Sequence, residues 1–138
     1  MNAPLRIPLL IAAATLAACA GLGSDEGSAT VTGKAMYPPQ GAVPPNSTLR
    51  VQLLDVSRQD ARAVLISETT ISLEGKQPPI GFRLAYRREA IKASNTYSVR
   101  ASIIVGNRMV FTTTETYPVL THGAPMDVSV RLEPVRPK

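Results

Sequence analysis

The chain has 138 residues and a formal net charge of +5, from 15 Lys and Arg against 10 Asp and Glu. That length suits one main domain with a substantial core. Its aromatic residues are four Tyr and two Phe, with no Trp, and its basic residues are spread along the chain. Both features exclude the clustered basic and stacking aromatic side chains of a nucleic-acid reader. A single cysteine excludes an intramolecular disulfide, so packing has to stabilise the domain.

The N-terminal segment predicts export and lipid attachment. Arg6 gives a positive n-region, and residues 7–18 form an apolar run with one internal proline. This run is too short for a transmembrane helix, which needs about 20 apolar residues. The sequence LAAC at 16–19 places small residues before a cysteine, which is typical of a signal-peptide cleavage site and similar to a bacterial lipobox. We therefore expect removal of residues 1–18 and acylation of Cys19, palmitate included.

The remaining chain predicts a tether and a β domain. Residues 19–28 comprise the lipidated cysteine and a small, polar tether that cannot bury enough apolar area to fold. Seven runs that alternate between apolar and polar residues then predict half-buried strands. These runs cover residues 30–37, 49–53, 64–71, 80–86, 97–105, 109–116 and 126–132, the third alternating least well.

The connections between these strands favour an antiparallel arrangement. Gly106-Asn107 predicts a tight hairpin, and residues 87–94 have room for no more than one helical turn. Short strands with turns between them and no long helix indicate a sandwich or a barrel. We predict an all-β fold, an antiparallel β-sandwich of about seven strands over residues 29–138.

Catalytic and metal-binding chemistry finds little support in the sequence. His122 is the single histidine, whereas a zinc site needs several Cys or His ligands. A triad of His122, Asp127 and Ser129 is unfavourable because Asp127 and Ser129 share an outward strand face. Asp55 and Asp60 form the one close acidic pair near a turn, where capping is favoured over glycoside hydrolysis. We expect no cofactor, no metal and no enzymatic activity, with a small envelope hydrolase acting on glycan as the alternative.

One basic doublet stands out before the C-terminal tail. Arg87 and Arg88 follow the fourth predicted strand directly. Their guanidinium groups could contact lipid phosphates or an acidic partner, although a solvated face is the default for arginine. They are the candidate partner-binding residues of the sequence.

Several segments of the β domain carry a family resemblance together with the lipobox. They are Val31-Thr32-Gly33, LRVQL at 49–53 followed by DVSR, PIGFRLAY at 79–86 and Tyr117-Pro118-Val119. These segments resemble YbaY-type lipoproteins, a family related to the YscW-type pilotins of type III secretion systems. The resemblance covers residues 29–132, and Asp-Val-Ser-Arg at 55–58 is its most specific part.

The resemblance implies an immunoglobulin-like β-sandwich on an outer-membrane lipid anchor, with the domain facing the periplasm. Ala20, rather than aspartate, follows the cysteine, which resembles export onward to the outer membrane. Pilotins of this kind bind a secretin subunit and help it reach or assemble in that membrane, whereas many YbaY-like members have no settled role. Arg87 departs from the family, in which we expect an acidic residue there. We therefore expect a tethered, non-enzymatic lipoprotein that binds an envelope partner through a sheet edge or a groove.

Overall fold

The computed structural model describes residues 4, 27–38, 43–44 and 46–135. Apart from residue 4, the predicted signal peptide, Cys19 and the tether up to residue 26 lie outside the described residues. Within them no helical segment has the length and hydropathy needed to cross a bilayer. In this part of the chain the secondary structure consists of one 3-10 turn, Arg88–Ala90, and eight strands. The strands are β1 Ser28–Met36, β2 Ser47–Asp55, β3 Val64–Ser72, β4 Ile80–Arg87, β5 Tyr97–Val105, β6 Arg108–Thr113, β7 Tyr117–Val119 and β8 Asp127–Pro134.

The strands form one continuous, strongly curved sheet. Their order is β3-β2-β5-β6-β8-β1-β4, and β7 pairs with β5 beside this path. Each pair is antiparallel except β1 with β8, which run parallel. β3 and β4, the two ends of the path, lie side by side, and Ser67 Oγ donates a hydrogen bond to the Ala85 carbonyl oxygen at 2.5 Å. The sheet is therefore nearly closed and barrel-like.

The all-β prediction is confirmed, but the predicted sandwich is not clearly present. β8 takes part in both halves of the structure, because residues 127–131 pair with β1 and residues 132–134 pair with β6. Hydrogen bonding thus continues from one half to the other instead of stopping at two separate sheets. The alternation of side chains could not distinguish these arrangements, since each strand has one apolar and one polar face in both.

Each of the seven predicted strands is present, and an eighth was missed. β7 contains Pro118, and proline at that position predicted the end of a strand because it donates no backbone hydrogen bond. In the structure Ser98 on β5 faces Pro118, and Ser98 Oγ accepts a hydrogen bond from Tyr117 N at 3.3 Å. The hairpin at residues 106–107 is confirmed, with Gly106 at φ 60°. β1 begins at Ser28, the last residue assigned above to the tether.

A β-bulge explains the weak alternation of the third strand. Leu53 faces Ser67, whereas Leu54 faces Leu65, so Ile66 is an extra residue on β3. A bulge of this kind changes the direction of the side chains that precede it. Val64 and Leu65 are accordingly both exposed, by 60% and 50%.

The side chains on the concave face form the hydrophobic core of the described residues. Its largest fully buried members are Tyr97, Leu49, Leu53, Leu84 and Ile103. Burying an aliphatic side chain of this size contributes about 1.5–3 kcal/mol. Each of these residues falls on the apolar face of a predicted strand, so the sequence pattern identified the core correctly.

Gly33 is required where three strands approach one another. It lies on β1 opposite Phe82 on β4 and Val128 on β8. A β-carbon at this position would overlap with the Val128 carbonyl oxygen and with the Phe82 ring, whose Cε1 atom would lie at 2.9 Å. Because one of the obstructing atoms belongs to the backbone, the overlap cannot be relieved by a side-chain rotation alone.

We predict that Gly33→Ala destabilises the domain by about 3 kcal/mol, the upper end of the usual cost of overpacking, since the added β-carbon forces strands apart. Gly81→Ala is the matched control, because Gly81 is an exposed strand glycine with open space around its Cα. Its effect should stay within about 1 kcal/mol. Urea unfolding of the two variants checks both values, and equal losses would contradict the role given to Gly33.

Candidate functional site

Three loops and the start of β1 lie together at one end of the sheet, here called the Gly27 end. The strand directions place the ends of β2, β4 and β7 beside the starts of β1, β3, β5 and β8. The connecting loops at this end are 56–63, 88–96 and 120–126. Arg88 N donates to the Gly27 carbonyl oxygen at 2.9 Å, which joins the first loop residue after β4 to the residue that precedes β1.

Tyr97 holds the central loop, 88–96, in place. Its ring is buried in the core, and its hydroxyl oxygen accepts a hydrogen bond from Lys92 N at 2.9 Å. The same hydroxyl donates to the Ala90 carbonyl oxygen at 3.4 Å. A buried tyrosine needs a partner for its hydroxyl group, and here the partner is the backbone of the loop. The loop therefore has a fixed position relative to the core.

Asp55 connects this central loop to the end of β2. Its Oδ1 atom accepts hydrogen bonds from Ser57 N at 2.9 Å and Ser57 Oγ at 2.5 Å, and its Oδ2 accepts from Asn95 Nδ2 at 2.9 Å. Ser57 Oγ in turn accepts from Thr96 N at 2.9 Å. These bonds, that of the Ser57 hydroxyl above all, lower the pKa of Asp55 below its ordinary value of 3.8. The predicted turn-capping role of Asp55 is thus supported, and Asp60 is exposed in the same loop.

A groove of about 570 Å³, here called the loop groove, opens between loops 88–96 and 120–126. Most of its lining is apolar, with a cation at Arg88 and an imidazole at His122. The lining residues are Ala29, Tyr86, Arg88, Ile91, Ala93, Leu120, Thr121, His122 and Met126. A concave, largely apolar surface with a few polar groups is typical of a binding site.

The loop groove is bordered by a strained turn. Leu120 has φ 71°, and Thr121 N donates to the Val119 carbonyl oxygen at 2.8 Å, which makes Leu120 the centre of a γ-turn. His122 also has a positive φ, 57°. A branched residue such as leucine rarely adopts this region, and such strain concentrates at functional sites. Thr121 Oγ1 donates to the Asn95 carbonyl oxygen at 2.6 Å and fixes the turn against the central loop.

The basic doublet is divided between two environments. Arg88 lines the loop groove. Arg87 instead lies 3.2 Å from Glu89, measured from Nη1 to Oε1, and the two side chains are 80% and 74% exposed. Such an exposed ion pair contributes little to stability. A partner-binding role for these two residues stays a prediction, as does acylation of Cys19, which lies outside the described residues.

The residues considered for a triad do not come together. His122 is exposed in the 120–126 loop, beside the loop groove. Asp127 and Ser129 are exposed on one face of β8, as their spacing predicted. Ser129 lines a different cavity, with Tyr37 and Arg131. Among the described residues, no group of three or more His, Cys, Asp or Glu could hold a metal ion.

The sequence did not predict the loop groove. Its apolar members come from β1, β4, the central loop and the 120–126 loop, and no local pattern links these segments. The strained Leu120 carries no sequence signal either, because the nearby Gly123 and Pro125 predict a turn without indicating which residue adopts a positive φ.

Known proteins resemble this chain over most of the β domain. A family model for type III secretion system lipoprotein chaperones (YscW) matches residues 26–132. The structure of an alternative pilotin from the type II secretion system of Vibrio cholerae has a TM-score of 0.75 with 37% sequence identity, covering 80% of this chain and 99% of that chain.

A curated relative is the uncharacterized lipoprotein YbaY of Escherichia coli (strain K12). It is 32% identical over 82 residues, which make up 59% of this chain and 43% of that protein. The match therefore spans less than half the length of this relative.

We predict that Asp55→Ala destabilises the domain by about 1–3 kcal/mol, because it removes charge-assisted hydrogen bonds to Ser57 and Asn95. Since the pKa of Asp55 is lowered by folding, its carboxylate stabilises the protein above the unfolded value of 3.8 and loses this effect as the pH falls through the folded value. Chemical unfolding between pH 7 and pH 2 should show the difference between wild type and Asp55→Asn shrinking below about pH 4. Asp60→Ala serves as the control and should change stability by less than about 0.5 kcal/mol.

We also predict that the usual stability order, in which an alanine variant is more stable than a glycine variant, is reversed at Leu120. Leu120→Gly relieves the positive φ and should be more stable than Leu120→Ala by about 1 kcal/mol. At Leu65, an exposed strand residue, Leu65→Gly should be less stable than Leu65→Ala by about 0.5–1 kcal/mol. Thermal unfolding of the four variants tests this, and the same order at both positions would contradict strain at Leu120.

Proposed function

The chain belongs to the YscW family of type III secretion system lipoprotein chaperones, and we propose that it is a pilotin-like lipoprotein that binds a segment of a secretin subunit in the loop groove. The resemblance to YbaY-type lipoproteins and pilotins is thereby confirmed. The observation that carries the proposal is the groove itself, apolar along most of its lining and bordered by the strained Leu120.

The lining of the loop groove suits an amphipathic segment. Tyr86, Ile91, Leu120 and Met126 provide apolar surface for side chains on one face of a bound helix or extended segment. Arg88 at the margin favours an acidic residue in the bound segment. The fixed position of the two bordering loops lowers the cost of ordering them on binding.

The proposed mechanism is tethering to the outer membrane. Acylation of Cys19 with two or three chains would hold the domain there persistently, because one chain alone binds membranes only marginally. Seven residues, 20–26, separate this cysteine from Gly27, so the domain would stay close to the periplasmic side of the membrane. Binding a secretin subunit there raises its local concentration at the membrane in which it assembles.

The proposed role is binding and involves no enzymatic activity. The chain matches a chaperone family and a pilotin. These similarities support a binding role over the alternative of an envelope hydrolase. Asp55, one of the two carboxylates considered for hydrolysis, accepts hydrogen bonds from Ser57 and Asn95 in a turn.

Two methionines of similar exposure provide the test. Met126 lines the loop groove and is 49% exposed, whereas Met109 on β6 is 47% exposed and lies outside it. Met126→Glu should reduce co-purification of the secretin with the tagged, lipidated protein at least tenfold, because a carboxylate would be desolvated in the apolar contact. Met109→Glu should leave co-purification unchanged.

When these variants replace the wild type, Met126→Glu should also reduce secretin assembly in the outer membrane, whereas Met109→Glu should leave it unchanged. Failure of the wild-type protein to retain a secretin, or equal retention by both variants, would overturn the proposal. Urea unfolding of each variant excludes a general loss of folding as the cause.

A further inference from the structure

A second surface at the Gly27 end combines unpaired cations with exposed aliphatic side chains. It lies on the other side of the 88–96 loop from the loop groove. We call it the basic patch and define it by Arg58, Arg62, Lys92, Val64 and Leu65. The three cations and Val64 line one cavity of about 250 Å³, and Leu65 follows Val64 on β3.

The cations of the basic patch have no ion-pair partner among the described residues. The ion pairs described there are Arg50 with Glu68 and Arg87 with Glu89. Asp55 also lines the cavity, and its carboxylate oxygens accept hydrogen bonds from Ser57 and Asn95. The positive charge of Lys92 acts on the same carboxylate and helps to lower the pKa of Asp55, although no ion pair joins the two side chains. Counting Asp55 against the three cations, the lining carries a formal charge of +2.

Besides Asp55, three acidic residues of the described chain lie at the same end. One of them, Asp127, begins β8 directly after Met126 of the loop groove and so lies outside the basic patch. Asp25 and Glu26 precede Gly27 in the sequence. Asp60 is exposed between Arg58 and Arg62 in the sequence, and Glu89 is paired with Arg87. Even with Asp60 included, the patch keeps an excess of positive charge. An anionic surface would therefore be attracted to it.

The aliphatic members are exposed by a specific feature of the backbone. The extra residue at Ile66 leaves Val64 and Leu65 exposed by 60% and 50%, and Val64 lies two residues after Arg62 in the chain. Aliphatic side chains next to cations are typical of surfaces that lie in the headgroup region of a membrane, where the cations contact phosphates and the aliphatic groups enter the acyl boundary.

The basic patch also lies at the end where the chain enters the sheet. Arg88 N, four residues before Lys92, is hydrogen-bonded to the Gly27 carbonyl oxygen. The path from Cys19 to Gly27 can span at most about 28 Å when fully extended. A lipid on Cys19 would thus hold the Gly27 end, rather than the opposite end, nearest to the bilayer.

We propose that the basic patch contacts anionic phospholipid headgroups, so that the domain lies against the membrane surface with its Gly27 end. A membrane is favoured over an acidic protein segment because exposed aliphatic side chains adjoin the cations at the end nearest the predicted anchor. This contact is independent of the secretin proposal, since it involves different side chains.

The test uses residues 19–138 with Cys19→Ser, which contain each described strand and the whole described core but no acylation site. Co-sedimentation is measured with vesicles of phosphatidylethanolamine and phosphatidylglycerol at 3:1, and with phosphatidylcholine vesicles. We expect binding to the anionic vesicles alone at about 50 mM salt, and its loss at about 300 mM salt because the attraction is screened.

Two double variants distinguish the effect of the basic patch on vesicle binding from the effect of the net charge of the protein. Each basic residue at an anionic surface contributes about fivefold to binding, so Arg58→Gln with Arg62→Gln should weaken it roughly 25-fold. Lys76→Gln with Arg108→Gln removes the same charge from exposed residues at the opposite end of the sheet and should change it less than about threefold. Val64→Thr with Leu65→Thr should weaken binding about tenfold.

Four results would overturn the proposal. They are absence of binding to anionic vesicles, equal losses in the two charge variants, release by 10 mM inorganic phosphate at constant ionic strength, and loss of secretin co-purification in the Arg58 and Arg62 variant with vesicle binding intact. The third would indicate a free phosphate site, and the fourth a protein contact. Met126→Glu should retain vesicle binding, so failure of the secretin proposal is distinguishable from failure of this one.

Discussion

The hydrogen bonds that Tyr97 and Asp55 make to the 88–96 loop determine the arrangement of the Gly27 end. Tyr97 holds the loop from the core through Lys92 N and the Ala90 carbonyl oxygen, and Asp55 holds it from β2 through Asn95. Neither residue contributes a side chain to the loop groove. Both nevertheless set its shape, because Ile91 and Ala93 line the groove from this loop. Without these bonds the loop would be an ordinary mobile connection.

The sheet supplies the rigid frame for this end. β8 passes from β1 to β6 and so links the two halves, and this passage depends on the missing side chain at Gly33, where the backbone of β8 and the ring of Phe82 meet β1. The starts of β1 and β8, and the loop that precedes β8, therefore have one position relative to β4. The strained turn at Leu120 can persist only because the surrounding structure is fixed in this way.

The two candidate surfaces share the central loop and the end of the sheet at which the chain enters. On one side, the loop groove offers apolar side chains of Tyr86 and Met126; on the other, the basic patch offers Arg62 and Lys92. A lipoprotein of the YscW family with this arrangement would hold a partner segment beside the membrane. The proposed tethering and the proposed orientation of the domain therefore both depend on the same end of the sheet.

The sequence by itself determined the family, the all-β class and the core, because alternation along each strand records which side is buried. Leu49, Leu53 and Leu84 could be assigned from that pattern alone. The tertiary structure decided the rest: Pro118 lies in a strand since its partner Ser98 accepts the neighbouring N–H group through its side chain, and β8 joins both halves instead of leaving two separate sheets. The loop groove and the basic patch each combine residues from strands or loops that are distant in the chain. A local pattern carries no record of such distant neighbours, because they are brought together only by the closure of the sheet.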